Sequence, residues 1–403
     1  MPNYVPVPLE RVQLGKPLPV DLWSPGGQLL LRRQQILSTE AHRDMLAERQ
    51  ACMTETDAQA WQRSLDRQMR RFYNEGADIS LLAQMPLPSE ISEDDFLPGH
   101  EVIGGWMDVQ DVLRGLLYQG VSAVSPLPRL DALEDRALAL LQSNPDEGLF
   151  TLFQALPDLS LGYCATHALL SGLVCSLTAD KLALKPSARA TLMRAALVMN
   201  IGMARLQDNL ARQKTAPNPA QRQDIDDHAA LGVTILQHLG VQDPTLLDIV
   251  QWHHTPDLFK GQGTPLMLMR LMNLADALIA KMAPRQVRHA MLPLAATKMM
   301  VMQSSPDTIQ LRQAMAAALG FYPPGSYVHL ANSETAVVIC RGERANSPHV
   351  ASIINANGMP LSTYNYRDTS TSGLNVTAPV AEHTLHVKVN PDKVKRLRQL
   401  HGV

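Results

Sequence analysis

The chain of 403 residues is 45% hydrophobic, 18% charged and only 4% aromatic, and it contains 19 methionines. This aliphatic composition favours helical packing over an aromatic-rich β-sandwich, and at roughly 100–200 residues per domain the length suggests two or three domains. The 36 basic and 38 acidic side chains give a net charge of -2, so no overall field attracts nucleic acid or an anionic membrane. We expect neither as a partner.

The sequence also lacks the usual signals for export and membrane insertion. Its first residues do not combine a basic start with an apolar run, and no stretch approaches the roughly 18 apolar residues of a membrane span. The four cysteines are scattered without the CxxC spacing of a redox or zinc motif. These features predict a reduced, cytoplasmic protein.

Residues 1–100 are predicted to form an N-terminal accessory module. Short apolar runs on both sides of the Ser-Pro-Gly-Gly turn at 24–27 indicate a β-hairpin. Residues 39–75 are compatible with helix, and the Pro-rich, acidic segment 86–101 has the composition of a surface connection. We therefore place a domain boundary near residue 100.

Helical spacing of apolar residues runs through residues 101–319 and predicts a helical bundle. One helix carries Tyr163 and His167 on an apolar face. The helix after it is predicted to carry Met199 and Met203 on one apolar face. A lone inward histidine is more often a hydrogen-bonded core residue than a ligand, so His167 alone predicts no site.

Further ionisable residues recur at inward positions of the later helices. His228 lies on an apolar stripe, and His253 and His254 are adjacent at the end of an apolar helix. Asp276 lies within another apolar helix, where a buried carboxylate needs a partner. Together with His167 these residues need a shared explanation, and a common metal or phosphate site supplies one.

Residues 320–403 are predicted to form a small C-terminal β extension. A Tyr-Pro-Pro-Gly breaker at 322–325 is followed by an Asn357-Gly358 turn signal and by β-like runs at 326–330, 335–341 and 350–355. The basic stretch 390–403 is compatible with a short helix, but a solvated tail is the favoured interpretation. The fold class is therefore mainly α, with a helical bundle flanked by a small N-terminal β-containing module and a small C-terminal β extension.

From about residue 160 to 290, the order of motifs resembles that of the HD-GYP branch of the HD phosphohydrolases. Members of this family typically hydrolyse the bacterial second messenger cyclic di-GMP at a site with two or three metal ions. The resemblance implies an HD-type helical bundle with a role in bacterial signal transduction. It places the family's metal ligands at His167, His228, His253, His254 and Asp276.

Two arginines close the last of these motifs. Arg285 and Arg288 fall on the family's arginine positions, which suggests phosphate binding, with surface ion pairing as the alternative. The motif before it has diverged, because the loop after His254 is longer than in the family. Within the last motif itself, Ile279 stands where the family has a second acidic residue.

The largest departure lies at the family's HDIGK motif. Here the sequence reads Met199-Asn200-Ile201-Gly202-Met203, so the His, the Asp and the Lys are all replaced. In the family this Asp bridges two cations, whereas an asparagine amide carries no anion and a thioether is a poor ligand for hard or borderline metals. The first metal position then keeps only His167 and Asp276.

Three hypotheses follow from this pattern. The leading one is a degenerate HD-GYP-like signalling domain that lacks efficient hydrolysis and acts by binding cyclic di-GMP, another phosphate ligand or a signalling protein. The second is an active metal-dependent phosphodiesterase or phosphohydrolase with an atypical mononuclear site, which uses His228, His253, His254 and Asp276 for metal and Arg285 or Arg288 for phosphate. Three imidazoles and a water form a viable set for one Zn²⁺, Mn²⁺ or Fe²⁺ ion, and a hydrogen-bonded histidine cluster is the alternative to a bound metal. The third is an HDOD-like output domain, a related helical fold without metal, against which the retained histidines argue.

Overall fold

A computed structural model of the chain describes residues 4–74, 86–91, 102 and 104–403. Its internal contacts fall into two units, Met1–His100 and Glu101–Val403. The second unit contains both the predicted bundle and the predicted C-terminal sheet. Within the described ranges, no helix is both long enough and apolar enough to cross a membrane.

The first unit combines a small sheet with two helices. Within residues 4–74 the elements are β1 Tyr4–Pro6, β2 Leu22–Trp23, β3 Leu29–Leu31, α1 Glu40–Glu48, β4 Cys52–Thr54 and α2 Glu55–Asn74. The strands form one antiparallel sheet in the order β1-β4-β2-β3. The predicted hairpin is confirmed, because β2 pairs with β3 and the Ser24 N–H donates to the Gln28 carbonyl at 2.8 Å. The predicted helical stretch 39–75 is interrupted by β4, since Gln50 takes a left-handed φ of 51° that ends α1.

The predicted connection at 86–101 lies mostly outside the described residues, but its first residues pack on this unit. Leu87 is buried, and its N–H donates to the Arg11 carbonyl at 2.9 Å. The Trp61 indole donates to the Pro88 carbonyl at 2.7 Å. The beginning of this segment is thus part of the unit's core, and the prediction of a surface connection is wrong there.

Helices dominate the second unit up to residue 319, as predicted. They are α3 Trp106–Gln119, α4 Pro126–Ser143, α5 Pro145–Ala155, α6 Tyr163–Lys181, α7 Pro186–Val198, α8 Ala204–Arg212, α9 Pro219–His238, α10 Pro244–Trp252, α11 Thr264–Met282, α12 Pro293–Met302 and α13 Ile309–Leu319. Several begin with a proline in the first turn after a polar cap. The Asn218 side chain accepts from the Gln221 N–H at the start of α9, and Asp243 caps α10 in the same way.

The central helix of the bundle is α6. Every residue from Tyr163 to Ala179 is buried, so the prediction of a single apolar face is too narrow. Small residues permit this close packing. A Cβ at Gly172 would lie only 2.7 Å from the Met193 sulfur on α7, so glycine lets the two helices approach. His167 is therefore enclosed on all sides.

The chain after α7 departs from the predicted continuous helix. The helix ends at Val198, and a short 3₁₀ turn covers Ile201–Met203, so Met203 is only half-buried while Met199 is fully buried. A Cβ at Gly202 would lie 2.2 Å from the His228 carbonyl oxygen. This turn, which follows Asn200, therefore packs directly on the backbone of α9.

Five antiparallel strands form the C-terminal sheet of the second unit. They are β5 Tyr327–Leu330, β6 Thr335–Cys340, β7 His349–Ile354, β8 Pro360–Asp368 and β9 Val376–Val380, in the order β8-β7-β6-β5-β9. The first three strands are where the sequence predicts them, and Gly358 takes a φ of 77° in the predicted turn before β8. The strands β8 and β9 were not predicted, because apolar and polar residues do not alternate clearly along them.

The basic C-terminal stretch forms the helix α14, Pro391–His401. Val394 and Leu397 are buried, and Arg398 is only 4% exposed. The Arg398 guanidinium donates to the Ile339 carbonyl at 2.9 Å. The favoured prediction of a solvated tail is wrong, because an apolar stripe and a buried arginine hold this helix on the sheet.

Candidate metal centre

The bundle brings the five ionisable residues of the sequence analysis to one place. His167 lies on α6, His228 on α9, His253 and His254 directly after α10, and Asp276 on α11. His167 Nε2 is 2.7 Å from Asp276 Oδ1, and His254 Nδ1 is 3.6 Å from Asp276 Oδ2. His228 Nε2 and His253 Nε2 are 3.3 Å apart. All but His254, whose side chain is 44% exposed, are buried.

His228, His253 and His254 form a three-imidazole cluster. One nitrogen from each ring lies within 4.8 Å of the others, and this is a group of the kind that can hold a metal ion. The His253 and His254 ring centroids are 4.0 Å apart, and His228 and His254 are separated by 5.0 Å. In a tetrahedral zinc site, with Zn–N bonds of about 2.0–2.1 Å, two ligand nitrogens lie about 3.3 Å apart. The His228 to His253 separation matches this value.

The hydrogen bonds of the cluster fix which ring nitrogens carry lone pairs. His228 Nδ1 lies 2.5 Å from the Ile225 carbonyl, and His253 Nδ1 lies 2.7 Å from the Val250 carbonyl. A carbonyl only accepts, so both Nδ1 atoms donate and both Nε2 atoms carry lone pairs in the neutral rings. The two Nε2 atoms therefore face each other as acceptors. Metal-binding histidines commonly donate their other N–H to a backbone carbonyl in this way.

Burial favours the neutral form of the His228 and His253 rings. It lowers the pKa of His253 to about 3, with the neighbouring His254 acting in the same direction. It also lowers the pKa of His228, against the raising effect of the hydrogen bond to Ile225. Two buried lone pairs at 3.3 Å repel unless a cation lies between them. The donor set thus fits one divalent metal ion.

His167 and Asp276 form the His–Asp pair, and it is organised differently. The Tyr163 hydroxyl lies 3.2 Å from His167 Nδ1, and His167 Nε2 donates to Asp276. Burial alone would raise the pKa of Asp276, but the hydrogen bond from His167 and the nearby histidines together hold that pKa well below its usual range. Both nitrogens of His167 are therefore engaged within the protein.

Asn200 is a buried amide without partners. It is 2% exposed, and neither its amide oxygen nor its amide nitrogen has a hydrogen-bond partner among the described residues. An amide supplies no negative charge for a cation. The site therefore combines a three-imidazole cluster with a separate His–Asp pair.

The two predicted phosphate-binding arginines lie in the turn after α11. The Arg285 guanidinium carbon is 5.7 Å from the centre of the Tyr163 ring, and its Nε is buried without a partner among the described residues. Arg288 donates from Nη2 to the carbonyl of Ala280 at 2.5 Å, which satisfies the C-terminal end of α11. Arg285 thus lies over the tyrosine that contacts His167, whereas Arg288 supports the helix end. Phosphate binding by either stays a prediction.

The sequence analysis missed one residue that contacts the cluster. Asn273 lies one turn before Asp276 on α11, and its Nδ2 donates to the His253 carbonyl at 2.7 Å and the His254 carbonyl at 3.3 Å. A signal was present in the sequence. Asparagine is disfavoured in helix interiors, and here it stands in the middle of a mainly apolar helix.

Comparison with protein-family models finds no match, and comparison with curated proteins finds none. Among solved structures, the chain is similar to Bd1817, an HDG"Y"P protein from Bdellovibrio bacteriovorus, at 16% identity and a TM-score of 0.38. The similarity covers 78% of this chain and 98% of that one. At this identity and TM-score, the likeness assigns no role to any residue of this chain.

Proposed function

We propose that residues 101–319 form a degenerate HD-GYP-like signalling domain that lacks efficient cyclic di-GMP hydrolysis and acts by binding a phosphate-bearing ligand or a signalling protein. The observation that carries the proposal is the replacement of the family's His-Asp dyad by Met199 and Asn200. Hydrolysis in the family needs an anionic bridge between two cations. Asn200 is neutral, and the remaining partners of that position, His167 and Asp276, are hydrogen-bonded to each other.

The three-imidazole cluster would hold one divalent cation such as Zn²⁺, Mn²⁺ or Fe²⁺, through nitrogens of His228, His253 and His254. A cation bound there supplies Lewis acidity and lowers the pKa of a bound water. The protein's own groups orient the cluster. Backbone carbonyls of Ile225 and Val250 fix two rings, and Asp276 places a carboxylate 3.6 Å from the third.

The test of this proposal is a hydrolysis assay on the purified full chain with cyclic di-GMP and added Mn²⁺ or Fe²⁺. We expect no turnover above that of the metal ions alone. A calorimetric titration with cyclic di-GMP then tests the binding role, and we expect a saturable heat. Absence of heat at high concentration would remove cyclic di-GMP as the ligand and leave the signalling-protein partner to be tested.

A second candidate function is supported by the cluster itself. Because one nitrogen from each of three imidazoles lies within 4.8 Å of the others and Arg285 lies over the Tyr163 ring, a mononuclear phosphodiesterase is the alternative. Turnover that disappears in His253→Ala and persists in His238→Ala would overturn the leading proposal in favour of this one. His238 is a suitable control because it is exposed at the end of α9, the helix that carries His228.

A further inference from the structure

Asn273 makes an unusual pair of contacts with the candidate metal centre. Its side-chain amide donates to two consecutive backbone carbonyls, those of His253 at 2.7 Å and His254 at 3.3 Å. Both partners are carbonyl oxygens, which only accept, so the amide orientation is fixed with Nδ2 toward them. One side chain therefore contacts the main chain of both adjacent histidines.

These contacts fall where the backbone has no helical partners. The helix α10 ends at Trp252, and the last carbonyls of a helix lack intrahelical donors. The chain then unwinds through a turn in which the Thr255 N–H donates to the Trp252 carbonyl, and Pro256 follows. Asn273 supplies the donor that the His253 and His254 carbonyls lack at this helix end.

Asn273 also connects this turn to the rest of the site. It lies on α11, three residues before Asp276, and Asp276 contacts the His254 ring at 3.6 Å. The same helix thus holds the backbone of His253 and His254 through Asn273 and faces the His254 side chain through Asp276. Two anchors from one rigid element restrict both the position and the rotation of His254, the more exposed member of the cluster.

We propose that Asn273 is a positioning residue that orients His253 and His254 as a pair of nitrogen donors for one divalent cation. The inference rests on the proposed metal-binding role of the cluster. If Asn273 has this role, its removal lowers cation affinity by more than any loss of stability accounts for. Changes in residues that orient metal ligands typically cost 10–100-fold in affinity.

The test compares Zn²⁺ affinity, measured by chelator competition, in the full-length wild type, Asn273→Leu and Asn273→Ala. Leucine keeps the branched shape and the number of side-chain heavy atoms of asparagine, while alanine adds no steric demand, and both residues favour helix, so the two changes remove the hydrogen bonds to His253 and His254 without lowering the helix propensity of α11. We expect Zn²⁺ to bind about 10–100-fold more weakly in both variants. The absorption spectrum of bound Co²⁺ should also change, because its intensity depends on ligand geometry.

Asn144→Ala is the matched control. It removes an asparagine side chain that caps α5 by accepting from the Glu147 N–H at 2.9 Å, and so lowers stability without touching the cluster. We expect this variant to keep wild-type Zn²⁺ affinity although its melting temperature falls. The inference is wrong if the Asn273 variants bind Zn²⁺ as tightly as the wild type, or if Asn144→Ala loses as much Zn²⁺ affinity as they do at a similar loss of stability. If the wild type itself does not bind Zn²⁺, the proposed metal site fails instead.

Discussion

The two halves of the candidate site differ in where their polar atoms find partners. In the three-imidazole cluster, backbone carbonyls accept hydrogen bonds from Nδ1 of His228 and His253, and this leaves the two Nε2 lone pairs facing each other. In the His–Asp pair, His167 Nε2 donates to Asp276 Oδ1, and His167 Nδ1 lies beside the Tyr163 hydroxyl. The cluster therefore keeps lone pairs for a cation, whereas His167 uses both ring nitrogens within the protein. A set of possible ligands is informative only when its hydrogen bonds are known.

The largest effect is expected from breaking the cluster. In His253→Ala, Zn²⁺ affinity should fall at least about 100-fold, because loss of a ligand costs more than the 10–100-fold typical of residues that orient ligands. Chelator competition measures this, with His238→Ala as the exposed control. Unchanged affinity in His253→Ala would show that the cluster is only a hydrogen-bonded core.

The His–Asp pair should instead contribute to stability. Asp276→Ala leaves the buried His167 without its acceptor, and we expect the free energy of unfolding to fall by about 2 kcal/mol, as for a hydrogen bond to a charged group. Zn²⁺ affinity should fall by no more than the 10–100-fold typical of residues that orient ligands, because Asp276 faces the His254 ring without being a ligand. Urea unfolding and chelator competition on the same protein separate the two effects.

Asp257→Ala is the control for this change. Asp257 is an exposed carboxylate paired with Arg270, so its removal should alter stability by no more than about 0.5 kcal/mol. An Asp276→Ala variant that keeps its stability but loses the metal would show that Asp276 is a ligand. The contrast between the two halves would then be lost.

The smallest effect is expected at Asn200. Its buried amide has no partner among the described residues, so Asn200→Leu should raise the free energy of unfolding by about 1 kcal/mol and leave Zn²⁺ affinity unchanged. Met199→Leu, an apolar exchange at the neighbouring position, is the control and should be close to neutral. A marked loss of stability in Asn200→Leu would indicate that the amide is satisfied by a bound group and still belongs to a working site.

The sequence predicted the bundle well because helical periodicity is strong over long segments. It also identified all five polar residues that converge, since each interrupts an apolar stripe. It could not show that His167 and Asp276 pair with each other, because residues 109 positions apart leave no local trace of their hydrogen bond. The contact of Asn273 with two carbonyls was missed for the same reason.

Short and polar elements were predicted less well. The three residues of β4 are too few to show an alternating pattern, and most residues of β8 are only partly buried, so neither strand carries a periodic apolar signal. The C-terminal helix α14 is rich in basic residues and resembles a solvated tail until Arg398 is seen buried against the sheet. The secondary structure of these segments depends on tertiary packing, which local composition does not reveal.

The most direct test of the central claim is the number of divalent cations bound per chain, measured by elemental analysis of the full-length protein after saturation with Zn²⁺ and removal of the excess. We expect about one ion per chain in the wild type and none in His253→Ala, because the three-imidazole cluster is the one group of at least three possible metal ligands among the described residues. Two ions per chain would contradict this, since His167 and Asp276 would then still act as ligands. No bound ion in the wild type would contradict it equally.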